Sequence, residues 1–174
     1  MAHDNLHAPW RLAYIRSLNE QADTGECFLC AAASASDDRQ RKERLVLWTT
    51  DHTVVLLNLF PYTNGHLLIA PRAHKAELEE LTDEESEDLQ RQTTQTVRLL
   101  KQAVSPQGFN IGINLGRAAG AGLPGHVHQH VVPRWGGDTN FITVVGEVRV
   151  VPHAVSQLYD ELIRVHAQMT GPGR

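Results

Sequence analysis

The chain has 174 residues, 41% of them hydrophobic, and a formal net charge of −4 at pH 7. This length fits one domain with extensions, and no apolar run approaches the roughly 18 residues of a membrane-spanning helix. The acidic balance argues against a general nucleic-acid-binding protein, which would present a basic surface. Because the N-terminus also lacks a charged-then-apolar signal pattern, we expect a cytoplasmic protein with neither a membrane nor a nucleic-acid partner.

The N-terminal part of the chain predicts short helices separated by irregular segments. Residues 1–9 are expected to be disordered, and apolar residues at helical spacing predict a short helix from Trp10 to Glu20. The alanine-rich stretch Cys27–Ala35 predicts a further turn of helix, whereas the charged stretch Asp37–Arg44 is expected to be a loop.

Three β-strands are predicted next. Segments 45–49 and 53–59 are apolar or alternate in polarity, and Asp51-His52 between them reads as a hairpin turn. Segment 67–70 is expected to be a buried strand that Pro71 stops.

A long helix follows these strands. Thr82 and Glu85 have the spacing of a capping box, which marks the beginning of a helix. The helix is expected to end near Pro106, and its apolar face contains Leu89, Thr93, Val97, Leu100 and Val104.

The last third of the chain predicts further strands and a final helix. A Gly/Ala loop at 116–125 separates strands at 110–115 and 126–132, and a further strand is expected at 144–151 and a helix from His153 to Met169. The order β-β-β-α-β-β predicts an α+β fold with a mainly antiparallel sheet. We divide the chain into an N-terminal extension with a short helix (1–20), a main domain (21–152) and a C-terminal helix with a tail (153–174).

Three histidines alternate in the segment His126-Val127-His128-Gln129-His130, which is followed by Val131-Val132-Pro133. Because a strand has period two, a strand here would project all three imidazoles from one face, about 7 Å apart from one to the next. Such a face normally carries out chemistry or binds a ligand. The alternative is a metal-scavenging histidine cluster in a loop.

This pattern resembles the signature of the histidine-triad, or HIT, superfamily: His-x-His-x-His followed by two apolar residues. The resemblance extends from Cys27 to about Pro152 and includes Asn58, the runs Asn64–Pro71 and Asn110–Gly116, and His74. It implies a HIT-like fold, in which a five-stranded, mainly antiparallel sheet carries one long helix and terminal helices and is extended across a homodimer.

The segment Pro133–Phe141 is similar to that of a more particular group of HIT proteins. These are the bacterial members that act as diadenosine tetraphosphate phosphorylases, also called ATP adenylyltransferases. The expected function is therefore cleavage of dinucleoside polyphosphates, with inorganic phosphate as the favoured acceptor. The alternatives are hydrolysis of dinucleoside polyphosphates or nucleoside phosphoramidates, or nucleotide binding without catalysis.

The resemblance assigns the catalytic roles within the triad. In the family the middle histidine, here His128, attacks the α-phosphate and forms a nucleotidyl-histidine. A neutral imidazole is a good nucleophile when its other ring nitrogen holds the proton, and a backbone carbonyl would fix that tautomer. His130 is expected to donate to the same phosphate and stabilise the charge of the transition state, while His126 completes the triad.

The resemblance also implies substrate-binding residues. Asn114 matches a family position that contacts the α-phosphate, and Asn58 matches one that holds the ribose hydroxyls; either is otherwise a strand-end turn residue. Small residues let the amides of the loop before the triad approach an anion, which places Gly116, Gly122 and Leu123 at the phosphates. Many family members carry Ser or Gln near positions 122 and 123, so only backbone contacts are expected here.

Three further positions have two interpretations each. His66 is expected either to support the active site or to make a structural hydrogen bond. Leu59 and Phe60 are core residues by composition, or they wall an adenine pocket. Trp135 is expected to cover the site or stack on a base, with packing under the C-terminal helix as the alternative; beside it, Arg134 or the amides of Gly136 and Gly137 are candidates to attract phosphate.

Cys27-Phe28-Leu29-Cys30 has the spacing of half of a tetrahedral zinc site. Some HIT proteins bind zinc through such a pair, the histidine of a Pro-x-x-His run and the first triad histidine. Carried over, this gives a closed, structural site formed by Cys27, Cys30, His74 and His126. The alternatives are two ordinary buried cysteines or a redox pair, although no βαβ pattern precedes them.

The expected homodimer has one feature in the sequence that agrees with it. The strand at 109–115 is apolar on both faces. An unpaired sheet edge of this kind invites pairing with a second copy.

Overall fold

A five-stranded antiparallel sheet forms the centre of the structure, a computed structural model that describes residues 27–139 and 155–171. The order across the sheet is β1-β2-β3-β5-β4, and every neighbouring pair is antiparallel. This confirms the predicted α+β class. The helix predicted at 10–20 and the strand predicted at 144–151 lie outside the described residues. The strands are β1 (Val46–Thr49), β2 (Thr53–Leu57), β3 (Leu67–Pro71), β4 (Gly108–Ile113) and β5 (Gln129–Arg134).

The sheet is covered on both faces, which explains why β2 and β3 are buried along their whole length. Side chains of a strand alternate between faces. In β2, Val55 and Leu57 belong to the larger core beneath the long helix, whereas Val54 and Leu56 belong to a second core. That second core lies against α1 (Phe28–Ala33), the helix turn that the alanine-rich stretch predicted.

The predicted long helix is present as α3 (Asp83–Val104), with a short 3₁₀ turn (Leu78–Glu80) before it. Its capping box is confirmed: the Thr82 hydroxyl accepts from the amide of Glu85 at 3.2 Å, and the Glu85 carboxylate accepts from the amide of Thr82 at 2.8 Å. Since two otherwise unpaired amides are satisfied, the helix begins at a defined residue.

The charged stretch Asp37–Arg44 was wrongly predicted to be a loop, because it forms α2 (Asp38–Glu43). The Asp37 carboxylate caps this helix by accepting from the amide of Gln40 at 2.8 Å, and Arg39 pairs with Glu43 one turn later. No residue of α2 is buried. Without an apolar face the stretch lacks the helical pattern, and its N-cap was the signal that could have identified it.

The final helix, α4 (Val155–Thr170), packs against α3 and β1. Tyr159 donates its hydroxyl to the carbonyl of Val46 at 3.0 Å, and the ring of His166 stacks on Trp48 with 4.3 Å between the centroids. None of the helices in the described ranges is long and apolar enough to cross a membrane.

The strand that carries the histidines was predicted at 126–132 but begins later, at Gln129. The pairings of β5 with both β3 and β4 begin at this residue. Pro133, expected to end the strand, lies within it. It is tolerated because β3 pairs only as far as Val131, so Pro133 has a neighbouring strand on one side alone.

Candidate active site and metal site

The rings of the three triad histidines make contacts in two clusters. His126 and His128 lie in the segment that leads into β5, and His130 is the second residue of that strand. The rings of His128 and His130 meet edge to face, with 4.9 Å between their centroids. The ring of His126 instead contacts His74, at 5.0 Å between centroids.

His128 is held in one tautomer. Its Nδ1 atom lies 2.8 Å from the backbone carbonyl oxygen of His126, which can only accept a hydrogen bond. Nδ1 therefore carries the proton, and the lone pair is on Nε2. Burial lowers the pKa of His128, although its hydrogen bond to the His126 carbonyl opposes this effect. The imidazole is consequently neutral at pH 7 and has the protonation state of a nucleophile.

His130 is held in the opposite tautomer through His66. The amide of Tyr62 donates to Nδ1 of His66 at 3.2 Å, so the proton of a neutral His66 is on Nε2. This Nε2 donates to Nδ1 of His130 at 3.0 Å, which leaves the proton of His130 on its own Nε2. Burial, and secondly the charge of His128, lowers the pKa of His130 to about 4. Neutral His130 thus presents a donor beside the lone pair of His128.

The structure brings Asn58 to these histidines. Asn58 follows β2, and its Nδ2 lies 3.2 Å from Nδ1 of His66, while its Oδ1 accepts from the amide of Phe60 at 3.1 Å. Asn114 comes one residue after Ile113, which is paired with Gln129. Asn114 therefore directly follows the last paired residue of β4, and His128 directly precedes its partner in β5.

The loop between β4 and β5 presents backbone more than side chains. Gly116 has φ of +71° and no atom within 4 Å of the position of a Cβ, so it is open and favours glycine. Gly122 is half-buried. Leu123 packs against the second core, and its carbonyl accepts from the amide of His126 at 3.4 Å. The side chain of Leu123 therefore contributes to packing.

Trp135 does not reach the histidines of its own chain. It follows the last residue of β5, five residues after His130, a separation of about 16 Å along a strand. Its indole donates to the carbonyl of Ser105 at 3.3 Å, at the end of α3. The expectation that Trp135 covers this His128 is therefore not met within one protomer.

The groups beside Trp135 that were expected to attract phosphate already have partners. Arg134 pairs with the carboxylate of Asp138 at 2.5 and 2.9 Å and donates to Asn110. The amide of Gly136 donates to the side chain of Gln107. These partners make Arg134 and the amide of Gly136 weaker candidates for binding phosphate.

Tyr62 is a site residue that the sequence analysis missed. Its ring lies 4.7 Å from that of His66 and 5.9 Å from that of His130. It belongs to the segment between β2 and β3, in which Leu59 (59%), Phe60 (47%) and Tyr62 (42%) are exposed. A run of exposed apolar side chains marks a binding surface, which favours the pocket interpretation of Leu59 and Phe60 over a core role. The signal was this apolar run four residues before His66.

Cys27, Cys30, His74 and His126 form a group that can hold a metal ion, since one ligand atom from each lies within 4.8 Å of the others. The Sγ atom of Cys27 lies 3.2 Å from Nδ1 of His126, and the Sγ atom of Cys30 lies 3.2 Å from Nδ1 of His74. Tetrahedral zinc with ordinary bond lengths separates its sulfur and nitrogen ligands by about 3.6 Å. The group needs only small adjustments to match this geometry.

The protonation of these ligands also suits a metal. Nε2 of His126 donates to the carbonyl of Pro71 at 2.9 Å, so the lone pair of Nδ1 faces the sulfur atoms. Such a carbonyl partner orients a metal-binding histidine. Burial, together with the hydrogen bond and charge of Cys27, raises the pKa of Cys30 to about 11. Two thiolates this close together require a cation, which a bound metal would supply.

Comparisons with known proteins agree with this arrangement. Residues 39–137 match the family described as HIT domain. The chain is 41% identical over 153 residues to the AP-4-A phosphorylase of Mycobacterium tuberculosis, covering 84% of this chain and 76% of that protein. It is 34% identical over 89 residues to the asymmetrical bis(5'-nucleosyl)-tetraphosphatase of Schizosaccharomyces pombe, covering 51% and 48%.

A solved structure with the same fold completes the comparison. The crystal structure of a Zn-bound histidine triad family protein from Mycobacterium smegmatis matches with a TM-score of 0.66 and 26% identity, covering 85% of this chain and 98% of that one. With its triad, its sheet order and these matches, the chain belongs to the HIT domain family.

Proposed function

We propose that the protein cleaves dinucleoside polyphosphates such as diadenosine tetraphosphate by phosphorolysis, through a nucleotidyl-histidine on His128. The observation that carries the proposal is the hydrogen bond from Nδ1 of His128 to the carbonyl of His126, at 2.8 Å. It leaves the Nε2 lone pair of a buried, neutral imidazole available for attack on phosphorus. The identity to the AP-4-A phosphorylase of Mycobacterium tuberculosis supports this substrate class.

The first half of the reaction transfers a nucleotidyl group to the enzyme. Nε2 of His128 attacks the α-phosphorus, the P–N bond forms, and the P–O bond to the departing nucleoside triphosphate breaks. His130 donates its Nε2 proton in a hydrogen bond to a phosphoryl oxygen, which stabilises the negative charge that develops there. Its tautomer suits this role because His66 already occupies its Nδ1.

The second half regenerates the histidine. An oxygen of inorganic phosphate attacks the same phosphorus, the P–N bond breaks, and a nucleoside diphosphate leaves while His128 recovers its lone pair. Diadenosine tetraphosphate and phosphate therefore give one ATP and one ADP. The neutrality of both histidines at pH 7 means that neither step requires a proton to be removed from His128.

The remaining site residues hold the substrate in this proposal. Asn58 binds the ribose hydroxyls, since it lies against His66 at the edge of the site. Asn114, which directly follows the end of β4 where β5 begins after His128, binds the α-phosphate. The backbone of Gly116, Gly122 and Leu123 lines the phosphate chain, because this loop leads directly into the triad segment.

The position of Trp135 favours one of the two roles expected from the sequence, stacking on a base, over covering the reacting histidine. At the far end of β5 it cannot touch the reacting phosphate of its own site, but a substrate with two nucleosides also has a distant base. We assign Trp135 to stacking on such a base. Trp135→Ala should then raise KM for diadenosine tetraphosphate and leave KM for adenosine phosphoramidate unchanged, and equal effects on both would reject the assignment.

We infer that the metal held by Cys27, Cys30, His74 and His126 is zinc. Two thiolates and two imidazoles at tetrahedral spacing are a donor set typical of zinc, and four protein ligands leave no open position for substrate. When bound, the ion would stabilise the fold. The similarity to the Zn-bound histidine triad family protein of Mycobacterium smegmatis supports this inference.

We further propose a homodimer that pairs two copies of β4. This strand is the edge of the sheet, and its outer backbone groups have no strand partner in the described part of the chain. Ile111, at its centre, is 45% exposed. An exposed apolar edge strand is a template for pairing with a second copy.

A hydrolase is the second candidate, because water in place of phosphate would attack the same intermediate. The resemblance to the tetraphosphatase of Schizosaccharomyces pombe favours it, and a nucleoside phosphoramidate hydrolase would use the same histidines. Nucleotide binding without turnover is disfavoured, since a protein that only binds has no need for the opposed tautomers of His128 and His130.

Product analysis distinguishes these candidates. The purified protein is incubated with diadenosine tetraphosphate at several phosphate concentrations, and the nucleotides are separated by chromatography. We expect ATP and ADP, at a rate that rises with phosphate. AMP and ATP at every phosphate concentration would identify a hydrolase, and consumption of adenosine phosphoramidate alone would change the substrate class. The same assay on His128→Asn should show almost no cleavage. Its matched control is His52→Asn, which alters an exposed histidine outside both clusters.

A further inference from the structure

The segment that carries His126 and His128 is not held by the sheet. The ladders of β5 with β3 and with β4 both begin at Gln129, paired with Ile69 and Ile113. The two histidines that precede Gln129 therefore depend on other contacts for their position. In a strand the backbone ladder would have fixed them regardless of what lies nearby.

Four polar contacts hold this segment at or beside the metal-binding group. Nδ1 of His126 lies 3.2 Å from Sγ of Cys27 and 3.5 Å from Sγ of Cys30. Nε2 of His126 donates to the carbonyl of Pro71 at 2.9 Å, which fixes the plane of the ring. The amide of Val127 donates at 2.7 Å to the carbonyl of Lys75, the residue after His74.

His126 also contacts the proposed nucleophile directly. Its ring belongs to the metal-binding group, and its carbonyl oxygen accepts the Nδ1 proton of His128 at 2.8 Å. Any rotation of the His126 peptide turns this carbonyl away from His128. In water a neutral imidazole prefers the proton on Nε2. In that tautomer the lone pair of His128 would be on Nδ1, and Nε2 could not attack phosphorus.

The metal-binding group is accessible from outside. His74 is exposed. Cys30, together with Asp51 and Arg72, lines an open cavity of about 330 Å³. His126, in contrast, is fully buried. A metal ion can therefore exchange on the exposed side of the group while its effect is transmitted through the buried ligand.

We propose that occupancy of the Cys27–Cys30–His74–His126 group by a metal ion controls the tautomer and position of His128. This makes the group a regulatory site for catalysis as well as a support for the fold. The inference rests on the proposed function only in treating His128 as the nucleophile. The coupling between the two histidines is a property of the resting protein and can be measured without turnover.

The tautomer of His128 is the direct readout. Protein labelled with ¹⁵N at histidine is examined by NMR before and after metal removal with a chelator, and circular dichroism shows whether it stays folded. With the metal bound we expect the Nδ1–H form of His128 alone, and without it a mixture that includes the Nε2–H form. Unchanged ring nitrogen signals of His128 in folded, metal-free protein would overturn the proposal.

A second measurement serves if the metal-free protein unfolds. Coupling between sites is reciprocal, so a ligand at His128 must change the affinity of the metal. The full chain is loaded with Co²⁺, whose visible spectrum reports tetrahedral thiolate ligation, and its Co²⁺ affinity is measured with and without saturating AMP. We expect a change of about fivefold or more, and none in His128→Asn.

The outcomes separate this inference from the proposed function. Calorimetry shows independently whether AMP binds. If AMP binds and the Co²⁺ affinity and spectrum stay the same, the coupling is wrong while the proposed function stands. If AMP does not bind, the proposed recognition of an adenylyl group beside His128 is wrong, and the NMR measurement still decides the coupling.

Discussion

The Nε2 atom of His66 lies 3.0 Å from the Nδ1 atom of His130, although 64 residues separate them in the chain. Because the amide of Tyr62 occupies the other nitrogen of His66, this contact allows only one direction of donation. It determines that the proton of His130 is on the nitrogen left for the substrate. His66 is therefore a positioning residue for the donor of the proposed reaction.

Replacing His66 tests this role. His66→Phe keeps a ring of similar size but removes the donor to His130, so kcat should fall by about 100-fold while KM changes little. His66→Gln can still donate from its amide nitrogen to Nδ1 of His130, so it should recover part of the lost kcat. A merely structural role would lower stability in both variants, without a kcat difference that follows the presence of a donor.

His128→Asn should remove nearly all turnover and leave the fold intact, because a covalent nucleophile has no substitute. Steady-state rates should fall by roughly 10³-fold or more, as for other deleted nucleophiles. His130→Ala removes one charge-stabilising donor and should cost less, about 10²- to 10³-fold. Should folded His128→Asn protein keep a tenth of the wild-type rate, the covalent mechanism is wrong.

Stability should fall as the pH is lowered from about 6.5 to about 4. The pKa of His130 is lowered from 6.5 to about 4 in the folded protein, and burial also lowers the pKa of His126, His128 and His166. The unfolded chain therefore binds protons across this range that the folded chain does not, which favours unfolding. Urea denaturation at several pH values checks this, and His130→Asn should weaken the dependence; a flat profile would contradict it.

The purified protein should contain about one zinc ion per chain. Cys27→Ser removes a ligand of a four-ligand site, so it should lower the melting temperature before it alters nucleotide chemistry, since metal binding is coupled to folding. Elemental analysis and thermal melts measure the two effects. The matched control is Ser34→Ala. Ser34 lines the same open cavity as Cys30 but is not one of the four proposed ligands. Untagged protein without any metal would rule out the site.

Ile111→Glu should convert a dimer into a folded monomer. Ile111 is 45% exposed on the edge strand β4, and a charge on a sheet edge opposes pairing. Leu78→Glu, at another exposed leucine (40%) away from that edge, is the control and should remain dimeric. Light scattering gives the mass, and a wild-type mass of 19.3 kDa at micromolar concentration would contradict the dimer.

Local patterns in the sequence were sufficient for much of the fold. The capping box at Thr82 and Glu85 located the beginning of the long helix, because its two residues are only three positions apart in the sequence. The valine and leucine runs located β2 and β3 for the same reason. The helix at Asp38–Glu43 was missed because it buries nothing, so hydrophobic periodicity, the main signal, was absent.

The arrangement of the histidines depended on contacts between distant parts of the chain. Alternation from His126 to His130 predicted one regular strand, but β5 begins at Gln129, where its pairing with Ile69 and Ile113 begins. The sequence also left the role of His66 open, because its hydrogen-bond partner His130 lies in β5, far away in the sequence. The spacing of the cysteines predicted only half of a metal site. The family resemblance was needed to predict His74 and His126 as the other two ligands.

The central claim is that His128 becomes covalently nucleotidylated during turnover. Wild-type protein is mixed with diadenosine tetraphosphate in the absence of phosphate, quenched with alkali, in which a phosphoramidate bond is stable, and digested for mass spectrometry. We predict an adenylyl group on the peptide that contains His128, its loss on addition of phosphate with formation of ADP, and no adduct in His128→Asn. Turnover without any adduct, or an adduct on another residue, would contradict the account.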